Sequence, residues 1–202
     1  MSRDNVKALT DEVKAQGLIL GAFVGLMWIL EIIDVPLGGA SDRCVGLNQF
    51  GIDPRNVVGL RGILFAPFLH GGFMHLFANT IPFLMLGWFV MLRRTADFWV
   101  VTVVAMLIGG LGTWLFGAAG CHIGASGVIY GYLGYLLFRG LFDRNVGSIA
   151  FSLVILFLYG GLIWGVLPTR IGISWEGHLF GFIAGVIAAK LLAEPKRSSS
   201  DF

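Results

Sequence analysis

The chain has 202 residues, of which 56% are hydrophobic and 13% charged, with a net charge of +2 and a mean hydropathy of +0.83. A soluble domain of this length has too little interior to hide that much apolar surface, and so small a net charge excludes nucleic acid as a partner. The two cysteines, Cys44 and Cys121, exclude a disulfide-framework fold and a CxxC metal motif.

Residues 1–15 form a polar, mixed-charge leader with no small-residue cleavage site after the following apolar run, so it does not read as a removed signal. Uncharged stretches then follow at Ala15–Leu30, Gly62–Leu92, Phe98–Phe138, Asn145–Thr169 and Gly177–Ala189. A membrane helix takes about 20 apolar residues, so the 41-residue stretch from Phe98 holds two crossings, with the turn at GAAGCHIGASG. The pattern predicts helices at 16–36, 73–92, 97–117, 126–140, 147–167 and 176–193. The expected fold class is all-α, a polytopic six-helix membrane bundle over 16–193, followed by a tail at 194–202.

Six crossings put both termini on one side. If that side is cytoplasmic it holds Arg3, Lys7, Lys14, Arg93, Arg94, Arg139, Arg144, Lys190, Lys196 and Arg197, ten cations against four (Arg43, Arg55, Arg61 and Arg170) on the other. That asymmetry fits the positive-inside rule, with a bacterial inner membrane as the expected location. The long first loop then lies outside the cytoplasm, as do Cys44 and Cys121. A disulfide between these two is conceivable, and two unrelated free thiols are the simpler reading. All four histidines, His70, His75, His122 and His178, fall at the outer ends of the helices, together with Ser126.

In chain order, HLFAN of the second helix puts His75 and Asn79 one turn apart on one face. The plain reading is polar glue between helices. GASG opens the fourth helix at Ser126; from there to Gly140 is about 22 Å, short of the roughly 30 Å hydrocarbon core, which sinks Ser126 below the outer surface. Backbone that is irregular at such depth must be buried in protein or line a wet cavity. The plain reading of GASG is close helix packing. Glycines at 127, 131 and 134 face a second stripe, Gly177, Gly181 and Gly185, on the sixth helix, where GHLFG carries His178; Tyr130 lies one turn below Ser126. The plain reading of His178 is a cap.

An unpaired hydroxyl, amide or imidazole in an apolar medium costs roughly 2–7 kcal/mol, so these groups are expected to meet. Together they supply a nucleophile, a general base and donors for an oxyanion. Glu176 points away from His178, while Asp34, Asp42 and Asp53 remain open as orienting carboxylates. The reading is a Ser–His dyad.

These three motifs, in this order and topology, resemble the rhomboid family of intramembrane serine proteases, over roughly 16–193. The resemblance implies Ser126 as nucleophile and His178 as base. It implies an oxyanion hole from the Ser126 N–H, His75 and Asn79, with Tyr130 packed on the catalytic imidazole and His70 near the oxyanion site. Gly124, Gly127 and Gly181 are supporting positions. The chain lacks the tryptophan that many members place beside an arginine in the first loop; only Arg61 is present. Gly177 stands where alanine often precedes the histidine. No cofactor and no metal are implied. The expected partners are the lipid bilayer and membrane proteins whose transmembrane helix is cut near the extracytoplasmic face, with the fifth helix (Phe157, Trp164) and the loop PTRIGIS as a lateral gate.

Three rivals stand beside this reading. One is a zinc site on His70, His75 and His178, which lacks any HExxH or i, i+4 histidine pair. Another is a non-catalytic rhomboid-like protein that binds membrane clients. The last is a transporter or channel, for which only Glu31 and Asp34 are acidic candidates, and ordinary interfacial placement explains both.

Overall fold

A computed structural model describes residues 3–39, 44–168 and 173–193. Six long helical segments make an all-α bundle: α1 (Arg3–Asp34), α2 (Phe73–Met91), α3 (Thr95–Phe116), α4 (Ser126–Asp143), α5 (Val146–Val166) and α6 (Trp175–Leu191). The first helix begins well before the expected residue 16: α1 is one helix of 32 residues starting at Arg3. The described residues of loop 1, between α1 and α2, form short helical turns and an isolated antiparallel bridge from Ile52 to His122. The tail at 194–202, Arg43, Asp42 and Arg170 lie outside the described residues, as does most of PTRIGIS.

α4 is the axis of the bundle. Tyr132, Leu133, Tyr135 and Leu136 on it are completely buried, packed among Leu76, Phe83 and Leu86 of α2 and Phe98 of α3. A helix enclosed by protein has no need of an all-apolar surface. α4 carries two tyrosines whose hydroxyls meet Thr102 Oγ1 at 2.8 Å and donate to Asp97 Oδ2 at 2.9 Å. α1, α2, α3 and α5 are long and apolar enough to cross a membrane, and α1 and α5 expose most of their large apolar side chains. α4 runs three residues past the expected end, to a left-handed cap at Arg144, so its 18 residues span about 27 Å rather than 22.

Glycine sets the approach of α4 and α6. A Cβ on Gly181 would stand 2.1 Å from the Gly127 carbonyl oxygen, one on Gly185 1.9 Å from that of Gly131, and one on Gly134 2.3 Å from that of Phe182. α3 joins the same contact through a π-helical turn, Ala105–Gly109, in which Gly109 lies against the Gly181 backbone. At the end of the bundle away from Ser126, Arg94 pairs with Asp97 and Arg139 with Asp143, each at 3.0 Å.

Glu31 and Asp34 are both enclosed by protein. Both are buried under loop 1, where the Leu47 N–H donates to Asp34 Oδ1. The simpler reading of the cysteines is also overturned: Cys44 and Cys121 form a disulfide that joins loop 1 to the α3–α4 loop.

Candidate active site

Ser126 is the first residue of α4 and His178 lies in the first turn of α6. The glycine contact brings the two helices close enough for His178 Nε2 to stand 2.9 Å from Ser126 Oγ. The other ring nitrogen, Nδ1, is 2.9 Å from the Gly165 carbonyl oxygen. A carbonyl only accepts, so Nδ1 carries the proton and Nε2 is left to accept from the serine hydroxyl. Tyr130, one turn along α4 from Ser126, stacks its ring on the imidazole at 4.1 Å and 10°, and its hydroxyl donates to the Leu162 carbonyl at 2.7 Å.

No carboxylate among the described residues orients His178. Asp34 serves loop 1, Asp53 accepts from the Asn56 amide, and Glu176 accepts from the Ala118 N–H at 3.0 Å. The orienting group is the backbone carbonyl of Gly165. A backbone carbonyl is present at every residue and has no signature in a sequence, which is why Gly165 was missed.

The residues ahead of Ser126 are tied to loop 1 nearly one by one. Cys121 is bonded to Cys44, and His122 exchanges both backbone hydrogen bonds with Ile52, at 2.8 and 3.0 Å. The Gly124 N–H donates to the Ala66 carbonyl at 2.9 Å and the Ala125 N–H points at His70 Nε2 at 3.5 Å. Burial, with the His75 imidazole beside it, pushes His70 down to about 3, so its ring is neutral and able to accept. Asn48, fully buried, donates from Nδ2 to the carbonyls of Gly39 and His70 and holds the loop in register.

Gly124 has φ +113°, a conformation that L side chains rarely adopt. A Cβ there would also stand 2.8 Å from both Cε1 and Nε2 of His75 and 3.8 Å from Asn79 Nδ2. His75 and Asn79 thus lie against the backbone two residues before Ser126. His75 Nδ1 accepts the Gly71 N–H at 3.2 Å, which places the His75 proton on Nε2, the nitrogen that faces Gly124. Asn79 Nδ2 donates to the His75 carbonyl at 2.9 Å, so the pair acts as one unit.

The structure therefore brings Ser126, His178, Tyr130, His75, Asn79, His70, Gly124, Gly127 and Gly181 to one end of the bundle. His122 makes none of these contacts, its ring lying between Ser174 Oγ at 2.6 Å and the Ala118 carbonyl at 2.8 Å, although it lines the small cavity that reaches Ser126. His70 and His75 pack edge to face at 5.1 Å, and among the described residues no group of three or more His, Cys, Asp or Glu is placed to hold a metal ion. Two cavities flank the dyad. One, of about 50 Å³, reaches Ser126 between α3, loop 1 and α6. The other, of about 240 Å³, is bounded by Tyr130, Trp164, Gly165 and His178 at the end of α5.

The rhomboid-domain family model matches residues 59–195. An uncharacterized protein of Mycobacterium tuberculosis is 44% identical over 192 residues, covering 91% of this chain and 78% of that one. An uncharacterized protein of Mycobacterium leprae is 40% identical over 192 residues, 91% of this chain and 74% of its own. The rhomboid protease GluP of Bacillus subtilis is 30% identical over 183 residues, 86% of this chain but 34% of its own.

Proposed function

The chain belongs to the rhomboid family, and from that premise we propose that it is an intramembrane serine endopeptidase working through a Ser126–His178 dyad. Family membership and its apolar helices make it an integral membrane protein of a protease family. The observation that carries the finer reading is the 2.9 Å approach of His178 Nε2 to Ser126 Oγ, with Nδ1 engaged by the Gly165 carbonyl at 2.9 Å.

In this reading Ser126 Oγ attacks the scissile carbonyl while its proton passes to His178 Nε2. The imidazolium is supported at Nδ1 by the Gly165 carbonyl and on its face by Tyr130. Negative charge develops on the carbonyl oxygen, where the Ser126 N–H, His75 Nε2–H and Asn79 Nδ2–H are the donors. His178 then gives its proton to the leaving amine, and water, activated by the same nitrogen, releases the acyl group. With a carbonyl instead of a carboxylate behind the histidine, the imidazolium is less stabilised than in a Ser–His–Asp triad, and turnover is slow.

The substrate is a membrane protein with a transmembrane helix that unwinds near the outer face, since a helical backbone holds its carbonyls out of reach. Entry is past α5, whose Phe157 is 88% exposed and Trp164 70% exposed. Both termini lie in the cytoplasm of a bacterium, and the dyad opens toward the other side.

The test is release of a soluble fragment from a panel of single-span reporters by the wild-type protein. Ser126→Ala and His178→Ala each abolish release while insertion stays normal, a serine-directed fluorophosphonate labels only protein with Ser126 intact, and a chelator has no effect. Cleavage that persists in Ser126→Ala would end the serine mechanism. Faithful client binding with no cleavage by the wild type would leave the non-catalytic reading.

A further inference from the structure

The buried polar atoms that lack a hydrogen-bond partner are not scattered. Apart from Asp143 Oδ1, those among the described residues belong to Glu31, Asp34, Asn48 and His70. All four residues are almost completely buried. They close a ring of contacts between the end of α1 and loop 1. Glu31 and Asp34 lie three residues apart on one face of α1. A Cβ on Gly39 would overlap Asp34 Oδ2, and the Gly39 carbonyl accepts from Asn48 Nδ2 at 3.0 Å. Asn48 Nδ2 also donates to the His70 carbonyl at 2.9 Å, and the Gly72 backbone, two residues on, lies near Glu31. Asp34 Oδ1 takes the Leu47 N–H. Both oxygens of Glu31, Asp34 Oδ2 and Asn48 Oδ1 are left without a hydrogen-bond partner. Among the described residues no cationic side chain pairs with either acid. His70 Nδ1 is not a further ligand, because Nε2 faces the Ala125 N–H and Nδ1 therefore carries the ring proton.

We infer that this ring is a site for a divalent cation of the calcium kind, with Glu31 as a bidentate ligand and Asp34 Oδ2 and Asn48 Oδ1 beside it. Two carboxylates shut away from water oppose folding unless positive charge joins them. A proton shared between the acids engages two of the four oxygens, whereas one metal ion engages all four and cancels both charges. Two acids and an amide make a set of hard oxygen donors, which zinc does not favour. Calcium takes about six to eight oxygens in irregular geometry and accepts a bidentate carboxylate, with water or backbone carbonyls completing the shell; magnesium holds to an octahedron and keeps its waters. The ion pins loop 1 to α1. Loop 1 in turn fastens the segment ahead of Ser126 through the Ala66 carbonyl and the His70 ring. The site rests on α1 and loop 1 alone and does not need the protease reading.

The experiment uses the full chain in detergent, stripped with EGTA, and reads equilibrium dialysis of radioactive calcium together with thermal unfolding. A single saturable site is expected, with Tm raised by roughly 5 °C at about a hundredfold excess of calcium over Kd, and by less in magnesium. Glu31→Gln, which keeps the shape and removes the charge, should lower calcium affinity at least about tenfold, and Asp34→Asn should do the same. In EGTA the wild type keeps two unpaired acids, so Glu31→Gln should unfold no lower than the wild type there; a residue that served packing alone would lower Tm in both media. The ion holds loop 1 and not the dyad, so reporter cleavage well below Tm is unchanged by the chelator and is not the readout. Absence of saturable calcium binding by the wild type would overturn the inference, as would wild-type affinity in Glu31→Gln. A calcium-dependent rise in Tm that survives in the Glu31→Gln, Asp34→Asn double variant would do so too. So would a wild-type Tm that ignores calcium and rises on acidification, which would give the two acids a shared proton instead.

Discussion

The two halves of the dyad are held in opposite ways. Ser126 sits at the end of a segment fastened to loop 1 by a disulfide, a two-way backbone pair, the Ala66 carbonyl and the His70 ring, on a helix locked to α6 by facing glycines. On the other side, the end of α5 meets the dyad through two backbone carbonyls, Leu162 to Tyr130 and Gly165 to His178, and no residue of Gly160–Val166 is fully buried. The rigid wall fixes where Ser126, the proposed nucleophile, and His75 and Asn79, the proposed oxyanion donors, stand. The looser wall is held by those two hydrogen bonds, each worth about 1 kcal/mol net, and by the partly buried Leu162, Ile163 and Val166 against the core; under the proposed function it is the side where a substrate helix enters.

The contrast can be broken most directly by adding the same side chain to each wall. Gly181→Val forces a carbon to within 2.1 Å of the Gly127 carbonyl, so loss of folded protein on thermal unfolding in detergent and loss of all fluorophosphonate labelling are expected. Gly161→Val, whose Cβ meets nothing within 4 Å, should fold and label like the wild type. Equal damage from both would mean that the walls do not differ. Next in size, Asn79→Ala removes a donor from the rigid wall without touching the dyad. It should lower kcat roughly a hundredfold with little change in KM; a change in KM alone would place Asn79 in binding.

A smaller effect comes from the tether. Cys44→Ser with Cys121→Ser opens a closure 77 residues long, for which chain entropy sets a ceiling of about 4.5 kcal/mol. A lowered Tm and slower labelling of Ser126 are expected, and reductant should reproduce both in the wild type and change neither in the variant. Smallest is Tyr130→Phe, which keeps the stacked ring and loses only the bond to the Leu162 carbonyl. If the loose wall is held as described, the rate should change by no more than about fivefold, and opening of the α5 end, read by a spin label at Phe157, should increase.

Much of the site was legible because its parts are unusual residues in an apolar chain. Ser126, His178, His75 and Asn79 stand out where almost nothing else is polar, and the glycine stripes on α4 and α6 show which helices must touch. Other features were not legible. Asp34 reads as an interfacial acid, yet it is buried and accepts a backbone N–H from loop 1. Cys44 and Cys121 are far apart in sequence, and only the path of loop 1 brings them together. The extra turn of α4 follows the left-handed cap at Arg144, a backbone choice that hydropathy does not record.

The sequence by itself determined the membrane bundle, the order of its spans, the helix pair that approaches most closely and the chemical groups carried to one of its ends. These follow from hydropathy and from the absence of a side chain at glycine, and both are properties of single residues. Only the tertiary structure decided which nitrogen of His178 faces Ser126, and that loop 1, in addition to the glycine contact with α6, fastens the segment ahead of Ser126. Those outcomes depend on backbone carbonyls and N–H groups, which every residue has and which gain meaning only from where the fold puts them.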